Sequence, residues 1–413
     1  SGTLAINASA PFTISLNQNG PFTSSIVLPA SNCVVNTTTI YVRFSPTSAG
    51  LVNGFAFNTS TPAIVNVALQ GEGLPQAQGM GNIVVDSRFG SQQSVDNILG
   101  PGQRVFNVNA FNGLQAAIDA AQPNDRITLL SGEHFGNNVR VHKPVTIEGQ
   151  GQSNTTIRSM TPVTNTFGML NPADVFNGAF HHGLIIQSSN VTIRDLSIDG
   201  DETLPCNQRM GVGIVTDHRM GQDFNSLTIE RVTVKHVLAR GIQLFNAGEV
   251  HRIMNSTIED VCSRNDANPE IVWRAAGIWV NDPAQITDNT IRQTGSGVIA
   301  TGQFGAFAAT SGIERNTIQE AEAFGLRIDP RDFNSATRRI NLRGNTIQSV
   351  GRAGVIAFGL TGESLIDANT INIQTRPGRG PAVGLTLAHS VSTVVQNNTI
   401  TAAAPAAGIS QNV

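Results

Sequence analysis

The chain has 413 residues, which is long enough for more than one domain with its own core. Only 13% of the residues are charged and the formal net charge is −3, so no basic field directs the protein to nucleic acid or to an anionic membrane. The sequence contains no apolar run of roughly 18 residues, the length that a membrane-spanning helix needs. Its 41 glycines favour turns and strands over long helices.

Residues 1–73 alternate apolar and polar side chains in short segments separated by turn residues, as in FTISL, TTIYVRFSP and AIVNVALQG. This pattern predicts a small antiparallel β-sandwich. The stretch TTTIYVRFSPTSAGLVNGFAFNTSTPAIVNVALQGEG resembles the last strands of the Ig-like repeats of large secreted bacterial surface proteins. The resemblance implies an incomplete Ig-like module that lacks its leading strands.

Residues 74–104 are rich in Gly, Pro, Gln and Ser, and we expect them to form a surface linker. The next segment, FNGLQAAIDAAQPNDRITLL, predicts a short helix that Asn112 caps and that ends before Pro123. Its apolar face is predicted to consist of Leu114, Ala117, Ile118 and Ala121.

A repeated phrase fills the rest of the chain. An Asn-Thr-Ile is followed about nine residues later by Gly and an alternating strand, as in RNTIQEAEAFGLRI and GNTIQSVGRAGVIAF. Coils of 20–36 residues fit a parallel solenoid. Together with the short helix before the first strands, these coils resemble the pectate-lyase-like right-handed parallel β-helix family over residues 105–413. The resemblance implies an all-β solenoid with an N-terminal capping helix.

Two columns of the repeat are predicted to be structural. The residue after each Gly is aliphatic and should point inward in every coil. The Asn before each Thr should stack into a ladder of side-chain amides. The inward residues are Ile214, Ile242, Ile278, Val298, Leu326, Val355, Leu385 and Ile409, and the ladder is Asn289, Asn316, Asn345, Asn369 and Asn398.

The outward positions of the same strands follow by the period of two and are unusually apolar, with Phe245, Trp279, Ile299, Ile356 and Phe358 on neighbouring coils. Three interpretations stay open: long loops bury this face, it stacks sugar rings, or it docks another protein. Insertions at both ends of these strands (199–211, 262–275 and 372–382 at one corner; 220–226, 302–311 and 330–339 at the other) favour a walled groove. The ligand-binding candidates are Phe245, Trp279, Asn281, Arg327 and Asp329.

Ionisable residues near this groove are candidates for catalysis. Asp217 and Asp329 lie four coils apart, roughly 19 Å at about 4.8 Å per strand, which is too far for the carboxylate pair of a glycosidase. None of the catalytic phrases of the lyase or polygalacturonase families is present, so no catalytic residue transfers with the resemblance. The local catalytic candidates are Asp329, Asp332, Arg327 and His218.

The loop DGDET places three acidic side chains close together, and Asp199, Asp201 and Glu202 are candidate Ca²⁺ ligands. A solvated acidic turn is the alternative interpretation. In successive coils Asp199, Lys235, Glu259 and Arg292 occupy one position with alternating charge, which predicts an ion ladder on the outside.

The three cysteines, Cys33, Cys206 and Cys262, are too few for a disulfide scaffold and lack the spacing of a metal site. Cys206 and Cys262 belong to two insertions at the same corner, so a disulfide between them is expected if the two loops lean together.

Two hypotheses for function remain open at this point. The first is an adhesive or structural protein, secreted or on the cell surface, whose groove binds a polysaccharide or a surface protein. The second is a polysaccharide-degrading enzyme, a lyase or a glycoside hydrolase, on the same scaffold. Because the repeat phrases run to the last residues, we also expect either further coils or end-to-end self-association through the exposed strand edge.

Overall fold

The structure is a computed structural model that describes residues 3–18, 20–32, 34–44, 50–58, 66–73, 83–159, 181–217, 219, 222–245, 250–281, 284–301, 311–328, 339–360, 363–374 and 382–402. The chain divides into two compact units. The first contains residues 1–79 and 91–106, and the second contains residues 80–90 and 107–413. In the ranges given, no helix has the length and apolar character needed to cross a membrane.

The first unit contains antiparallel strands. Ser25–Pro29, Thr3–Ala8, Gly50–Asn58 and Asn66–Gly73 form one sheet in that spatial order, and Phe12–Ser15 pairs with Tyr41–Phe44. Its buried core consists of Ala8, Phe12 and Ile14 with partly buried aliphatic and aromatic neighbours. The antiparallel β prediction is therefore confirmed, and the closer Ig-like assignment stays a prediction.

The prediction of a surface linker is wrong for the part of residues 74–104 that the structure describes. Ile83–Val85 is a strand that pairs in parallel with Arg126–Leu129 of the solenoid. Helix α1, Gln92–Leu99, follows, and Ser91 and Ser94 form a reciprocal capping box at its N-terminus. The prediction relied on turn-forming composition, whereas three buried aliphatic residues form the strand and a capping box of two serines begins the helix.

The second unit is a parallel β-helix whose strands form three sheets, here called A, B and C. Sheet A contains the glycines of the repeat: Val139–Val141, His182–Ile186, Val212–Thr216, Arg240–Leu244, Ala276–Val280, the second halves of Thr290–Ala300 and Thr317–Ile328, Ala353–Phe358 and Val383–Ala388. Sheet B contains Ile83–Val85, Arg126–Leu129, Thr146–Glu148, the first parts of Thr192–Asp199 and Thr228–Val237, His251–Met254, Ala284–Thr287, Gly312–Glu314, Asn341–Arg343, Leu365–Asp367 and Val394–Gln396.

Sheet C carries the Thr-Ile phrases. It contains Gly132–Phe135, Thr155–Arg158, the remainders of Thr192–Asp199 and Thr228–Val237, Thr257–Val261, the first halves of Thr290–Ala300 and Thr317–Ile328, Thr346–Val350, Thr370–Ile373 and Thr399–Ala402. The short strand Ala110–Phe111 pairs with the free side of Ile83–Val85. Each coil runs from B to C to A. Insertions between C and A contain two 3₁₀ helices, Cys206–Gln208 and Cys262–Asn265, and helix α3, Pro269–Arg274.

Helix α2, Leu114–Ala120, packs its apolar face onto the solenoid core as predicted, with Leu114, Ala117, Ile118 and Ala121 all buried. The predicted cap is wrong: the N-cap residue is Gly113, not Asn112, and no side chain bonds the first turn. Packing of this face, rather than a cap, therefore stabilises the helix.

The glycine column of sheet A exists because stacked coils approach too closely for a side chain. A Cβ on Gly241 would lie 2.6 Å from the carbonyl oxygen of Gly277 in the next coil and would overlap Ile258 of sheet C. The same clash recurs at Gly325, where a Cβ would lie 2.5 Å from the oxygen of Gly354. The next residue points inward as predicted. In the described coils the inward residues pair in an unbroken column and are fully buried as far as Val355, with Leu385 partly buried.

The asparagine ladder is confirmed and lies at the turn between sheets B and C. Each side-chain amide donates to the Oδ1 of the next asparagine, over 2.8 to 3.0 Å from Asn289 to Asn398. It also donates to a main-chain carbonyl, as Asn345 does to Ile313 at 2.7 Å. The same Oδ1 also accepts a hydrogen bond from the main-chain N–H of the asparagine in the preceding coil. At the head of the ladder Ser256 replaces asparagine and donates its main-chain N–H to Asn289.

The predicted ion ladder is present as two pairs on the outside of sheet C. Asp199 and Lys235 are neighbours across the sheet and their charged atoms are 3.6 Å apart. Arg292 donates its Nε to Glu259 at 2.6 Å. In the next coils the position is taken by Gln319 and Gln348, so the alternation of charge ends there.

Replacing Asn345 with alanine is expected to lower the free energy of unfolding by about 3 kcal/mol. The substitution leaves the main-chain N–H of Asn316 buried without its acceptor and removes the donor that Asn345 gives to the carbonyl of Ile313, and each such loss costs about 1–3 kcal/mol. Denaturant unfolding measures the change. Gln348→Ala, an exposed position of the same coil, is the control, and an equal effect of both substitutions would contradict the role of the ladder.

His251 is a histidine buried inside the solenoid. It shares the buried side of its strand with Ile253 and is fully shielded from solvent, and neither ring nitrogen has a hydrogen-bond partner among the described residues. Burial lowers the pKa of His251 to about 4. The ring is therefore neutral in the folded protein at neutral pH.

His251 makes stability depend on pH. As the pH falls below about 6.5, the unfolded chain binds a proton at this ring, whereas the folded chain binds it only near pH 4. The free energy of unfolding is therefore expected to fall by about 3 kcal/mol as the pH decreases over this window. The His251→Leu variant is expected to lose that part of the decline. Urea unfolding at about pH 7.5 and about pH 4.5 measures it. His142→Leu, at a partly exposed ring, is the control, and parallel pH curves for the wild type and His251→Leu would exclude the effect.

Candidate ligand-binding face of the solenoid

The outer face of sheet A has the register that the sequence predicts. The residues two past each glycine pair with one another from coil to coil: Val215, Gln243, Trp279, Ile299, Arg327, Ile356 and Thr386. Adjacent coils are about 4.8 Å apart. A column of side chains at this spacing presents one position per coil to anything that lies along the axis.

The first part of this face is buried. Phe245, Trp279 and Ile299 are at most 5% exposed and form a cluster with Ala276 that is separate from the solenoid core. The two aromatic residues therefore lie outside the core, as predicted. Their burial supports the first of the three interpretations, a covered face, over an open aromatic platform at these coils.

Trp279 is held by specific contacts. Its indole N–H donates to Thr301 at 2.9 Å, the Arg240 guanidinium lies 4.3 Å from its ring centroid, and Phe245 packs edge-on at 6.0 Å. Thr301 in turn donates to the side-chain oxygen of Asn281 at 3.4 Å. Three of the predicted ligand-binding residues, Phe245, Trp279 and Asn281, are thus brought together in one network.

A second cluster lies further along the face, and the sequence analysis predicted two of its members, Arg327 and Ile356, at outward positions. We call Trp273, Phe324, Arg327, Arg352 and Ile356 the arginine–aromatic cluster. The guanidinium of Arg352 lies 4.4 Å from the ring centroid of Trp273 and 5.9 Å from that of Phe324, and that of Arg327 lies 5.5 Å from Phe324. The two rings are 6.1 Å apart.

Helix α3 brings Trp273 to this cluster. Its first turn is capped by Asn268, which accepts from the main-chain N–H of Glu270 at 3.0 Å, and Pro269 occupies the first position. Ser296 of the next coil donates to the carbonyl of Trp273 at 2.7 Å. A side chain at Gly295 would overlap the carbonyl of Val272, so this glycine lets the helix rest on the coil.

Arg352 has no carboxylate within salt-bridge distance in the part of the chain that the structure describes, and both of its aromatic neighbours fix its orientation. Arginine and aromatic side chains in this arrangement offer a flat apolar surface beside a cation. The sequence contains only two tryptophans, and Trp273 was missed because it lies in an insertion outside the period of two.

Asp217 directly follows the strand Val212–Thr216 of sheet A, and neighbouring side chains keep its carboxylate charged. Hydrogen bonds from Arg219 lower the pKa of Asp217 to about 2 against the opposing effect of burial, and Gln187 donates a further bond at 2.9 Å. The carboxylate is therefore ionised at neutral pH and cannot supply a proton as a general acid. His218, Asp329 and Asp332 lie outside the described residues, as does most of the second predicted wall.

The candidate calcium ligands are engaged with other groups. Burial alone would raise the pKa of Asp199, but bonds from His236 and the main chain of Asp201, with Lys235 nearby, lower it to about 2. The Asp201 carboxylate accepts from Thr203, and Glu202 lies 3.4 Å from His236. No group of three or more His, Cys, Asp or Glu side chains within the described ranges is arranged to hold a metal ion. These acidic side chains are therefore paired with neighbouring groups, and calcium binding at this turn stays a prediction.

The expected disulfide is confirmed. Cys206 and Cys262 are bonded, with their Cα atoms 5.9 Å apart, and they join two insertions at the corner between sheets C and A. The bridge packs against Leu238, Ala239 and Ile271. It fixes the start of the insertion that carries helix α3 and Trp273.

Comparison with known proteins supports the fold. The sequence model of the family described as "Right handed beta helix region" matches residues 213–400. No curated protein matches the chain in sequence. The unit is accordingly a right-handed parallel β-helix, as the repeat predicted.

Solved structures with similar folds share little sequence with the chain. The A-module of mannuronan C-5 epimerase AlgE6 from Azotobacter vinelandii is 16% identical, with 70% of this chain and 82% of that one covered and a TM-score of 0.42. Polygalacturonase from Erwinia carotovora ssp. carotovora is 9% identical, with 83% and 100% covered and a TM-score of 0.37. The catalytic unit of a GH87 α-1,3-glucanase from Streptomyces thermodiastaticus is 12% identical, with 97% and 86% covered and a TM-score of 0.31.

Replacing Cys206 and Cys262 together with serine is expected to lower the free energy of unfolding by about 4 kcal/mol. The bridge closes a loop across 56 positions, and a loop of that length loses roughly this much chain entropy when it is crosslinked in the unfolded state. Cys33→Ser is the control. Mass spectrometry without reduction that finds free thiols on Cys206 and Cys262 would contradict the bridge itself.

Proposed function

We propose that the protein is a secreted or cell-surface β-helix protein with an adhesive role, and that it binds an acidic polysaccharide along the outer face of sheet A. The observation that carries this proposal is Arg352, a half-buried guanidinium stacked on Trp273 and Phe324 with no carboxylate partner in the described part of the chain. A uronate carboxylate supplies such a partner through charge-assisted bonds. The adjacent rings suit the apolar face of a sugar.

The position of the cluster suits an extended chain. Arg327 and Arg352 belong to consecutive coils, since Arg327 pairs with Ile356 in the strand that follows Arg352. A polysaccharide lying along the axis meets one arginine in each of these coils. The disulfide supports the extracellular location, because such bonds persist in oxidising compartments.

A polysaccharide-degrading enzyme, a lyase or a glycoside hydrolase, is the second candidate. It is favoured by the position of Asp329, which directly follows the strand Thr317–Ile328 that carries Arg327. Asp332 follows three residues later, and His218 comes two residues after the strand Val212–Thr216, four coils away. Acids and bases of these types are the groups that a lyase or a glycoside hydrolase uses.

Arg352→Ala and Trp273→Ala are each expected to weaken binding of polygalacturonate or alginate roughly tenfold or more, which corresponds to about 1.4 kcal/mol. Affinity electrophoresis or calorimetry measures it, with dextran as the neutral polymer. Arg292→Ala is the matched control, because this exposed arginine lies on sheet C. Failure of the wild type to bind any acidic polymer, or an equal loss in Arg292→Ala, would refute the site and leave a surface protein as the partner to test.

The enzymatic alternative needs its own assay. Release of reducing ends or of an unsaturated product from the bound polymer, lost in Asp329→Asn and Asp332→Asn but with binding retained, would establish it. Binding without any product over a broad panel would favour the adhesive role.

A further inference from the structure

The two insertions joined by the disulfide enclose a separate pocket. Its volume is about 540 Å³, and it is lined by Cys206, Asn207, Arg209, Asp260, Cys262, Ser263, Asn265 and Asp266. The volume falls in the range of about 300–1,000 Å³ that is usual for small-molecule sites. Apart from the disulfide, every lining residue is polar. We propose that this pocket is a binding site for a neutral sugar unit.

The walls of the pocket are held in place by the fold. The disulfide lies against Leu238 and Ala239, and the main-chain N–H of Ser263 donates to the carbonyl of Leu238 at 3.0 Å. Arg209 donates to Asp260 at 2.7 Å and to the carbonyls of Leu204 and Glu202 at 3.1 and 3.0 Å. A preformed pocket loses little conformational freedom when a ligand enters it.

Ser263 lies in the wall of the pocket. It is only 2% exposed, and its hydroxyl makes no hydrogen bond to the residues that the structure describes. A buried hydroxyl without a partner is unfavourable, and rotation of this side chain towards the pocket would let a hydroxyl of a bound molecule or a water relieve that cost. The side-chain amides of Asn207 and Asn265 add donors and acceptors around it.

The charges select the class of ligand. The pocket has one guanidinium, which Asp260 neutralises, and a second carboxylate, Asp266, which accepts from the main chain of Asn268 at 2.8 Å. The excess of one negative charge disfavours uronates and other anions. A neutral sugar supplies several hydroxyl donors to the carboxylate and amide oxygens, and the pocket therefore differs in specificity from the arginine–aromatic cluster.

Ligand-observed NMR on the full chain with its disulfide intact tests the site. The probes are D-glucose, D-galactose, D-mannose and N-acetyl-D-glucosamine, with D-glucuronate as the anionic counterpart. At least one neutral probe is expected to bind, and glucuronate is expected to bind at least several-fold more weakly. Ser263→Ala and Asn207→Leu are each expected to weaken the neutral probe roughly fivefold or more, as the loss of one hydrogen bond implies.

Asn97→Leu, at an exposed position of helix α1 in the other unit, is the control, and unchanged thermal midpoints show that the variants fold. The proposal is overturned if no neutral probe binds, if glucuronate binds as well as the neutral probes, or if both pocket variants bind like the control. The proposal does not rest on the acidic-polysaccharide proposal. Arg352→Ala is expected to leave neutral-sugar binding unchanged, so the experiments show separately whether each of the two sites binds its ligand.

Discussion

The asparagine ladder between sheets B and C is the interaction on which the regularity of the solenoid depends. Every amide both donates to the next coil and receives from the previous one, so each rung is satisfied only when its neighbour has the same side chain in the same register. A slip of one residue would leave several buried polar groups without partners at once. The ladder thereby fixes where each strand of sheet C begins, and with it the positions that face inward and outward.

The glycines of sheet A impose the complementary constraint at another corner. A Cβ at Gly241 or Gly325 would clash with a carbonyl oxygen of the next coil, so the main chains of adjacent coils are too close there for any side chain. That approach sets the direction of the two residues that follow, one into the core and one outward. The register of the outer face of sheet A is therefore a consequence of packing at the glycine.

Features that recur could be predicted in full from the sequence, whereas features that occur once could be predicted only in part, as helix α2 and the disulfide were. The inward aliphatic column, the amide ladder and the place of Trp279 outside the core follow from repeated spacing, because every coil supports the same inference. Helix α1 and the Gly113 cap depend on single local contacts that composition does not reveal. Trp273 reaches its site through an insertion, and only the fold shows that a helix there lies against the following coils.

This division between scaffold and insertion also explains where specificity resides. The coils supply a straight series of positions at fixed spacing, and Arg327 and Ile356 use it on the outer face. The insertions at one corner supply everything that is not periodic: the disulfide, helix α3 and the polar pocket. Since residues of both insertions line the pocket and the second insertion carries Trp273, one covalent bond positions the pocket and this side chain. The arginine–aromatic cluster and the pocket, for which we propose an acidic polysaccharide and a neutral sugar as ligands, can then coexist on a single scaffold, because neither requires any change in the coils beneath it.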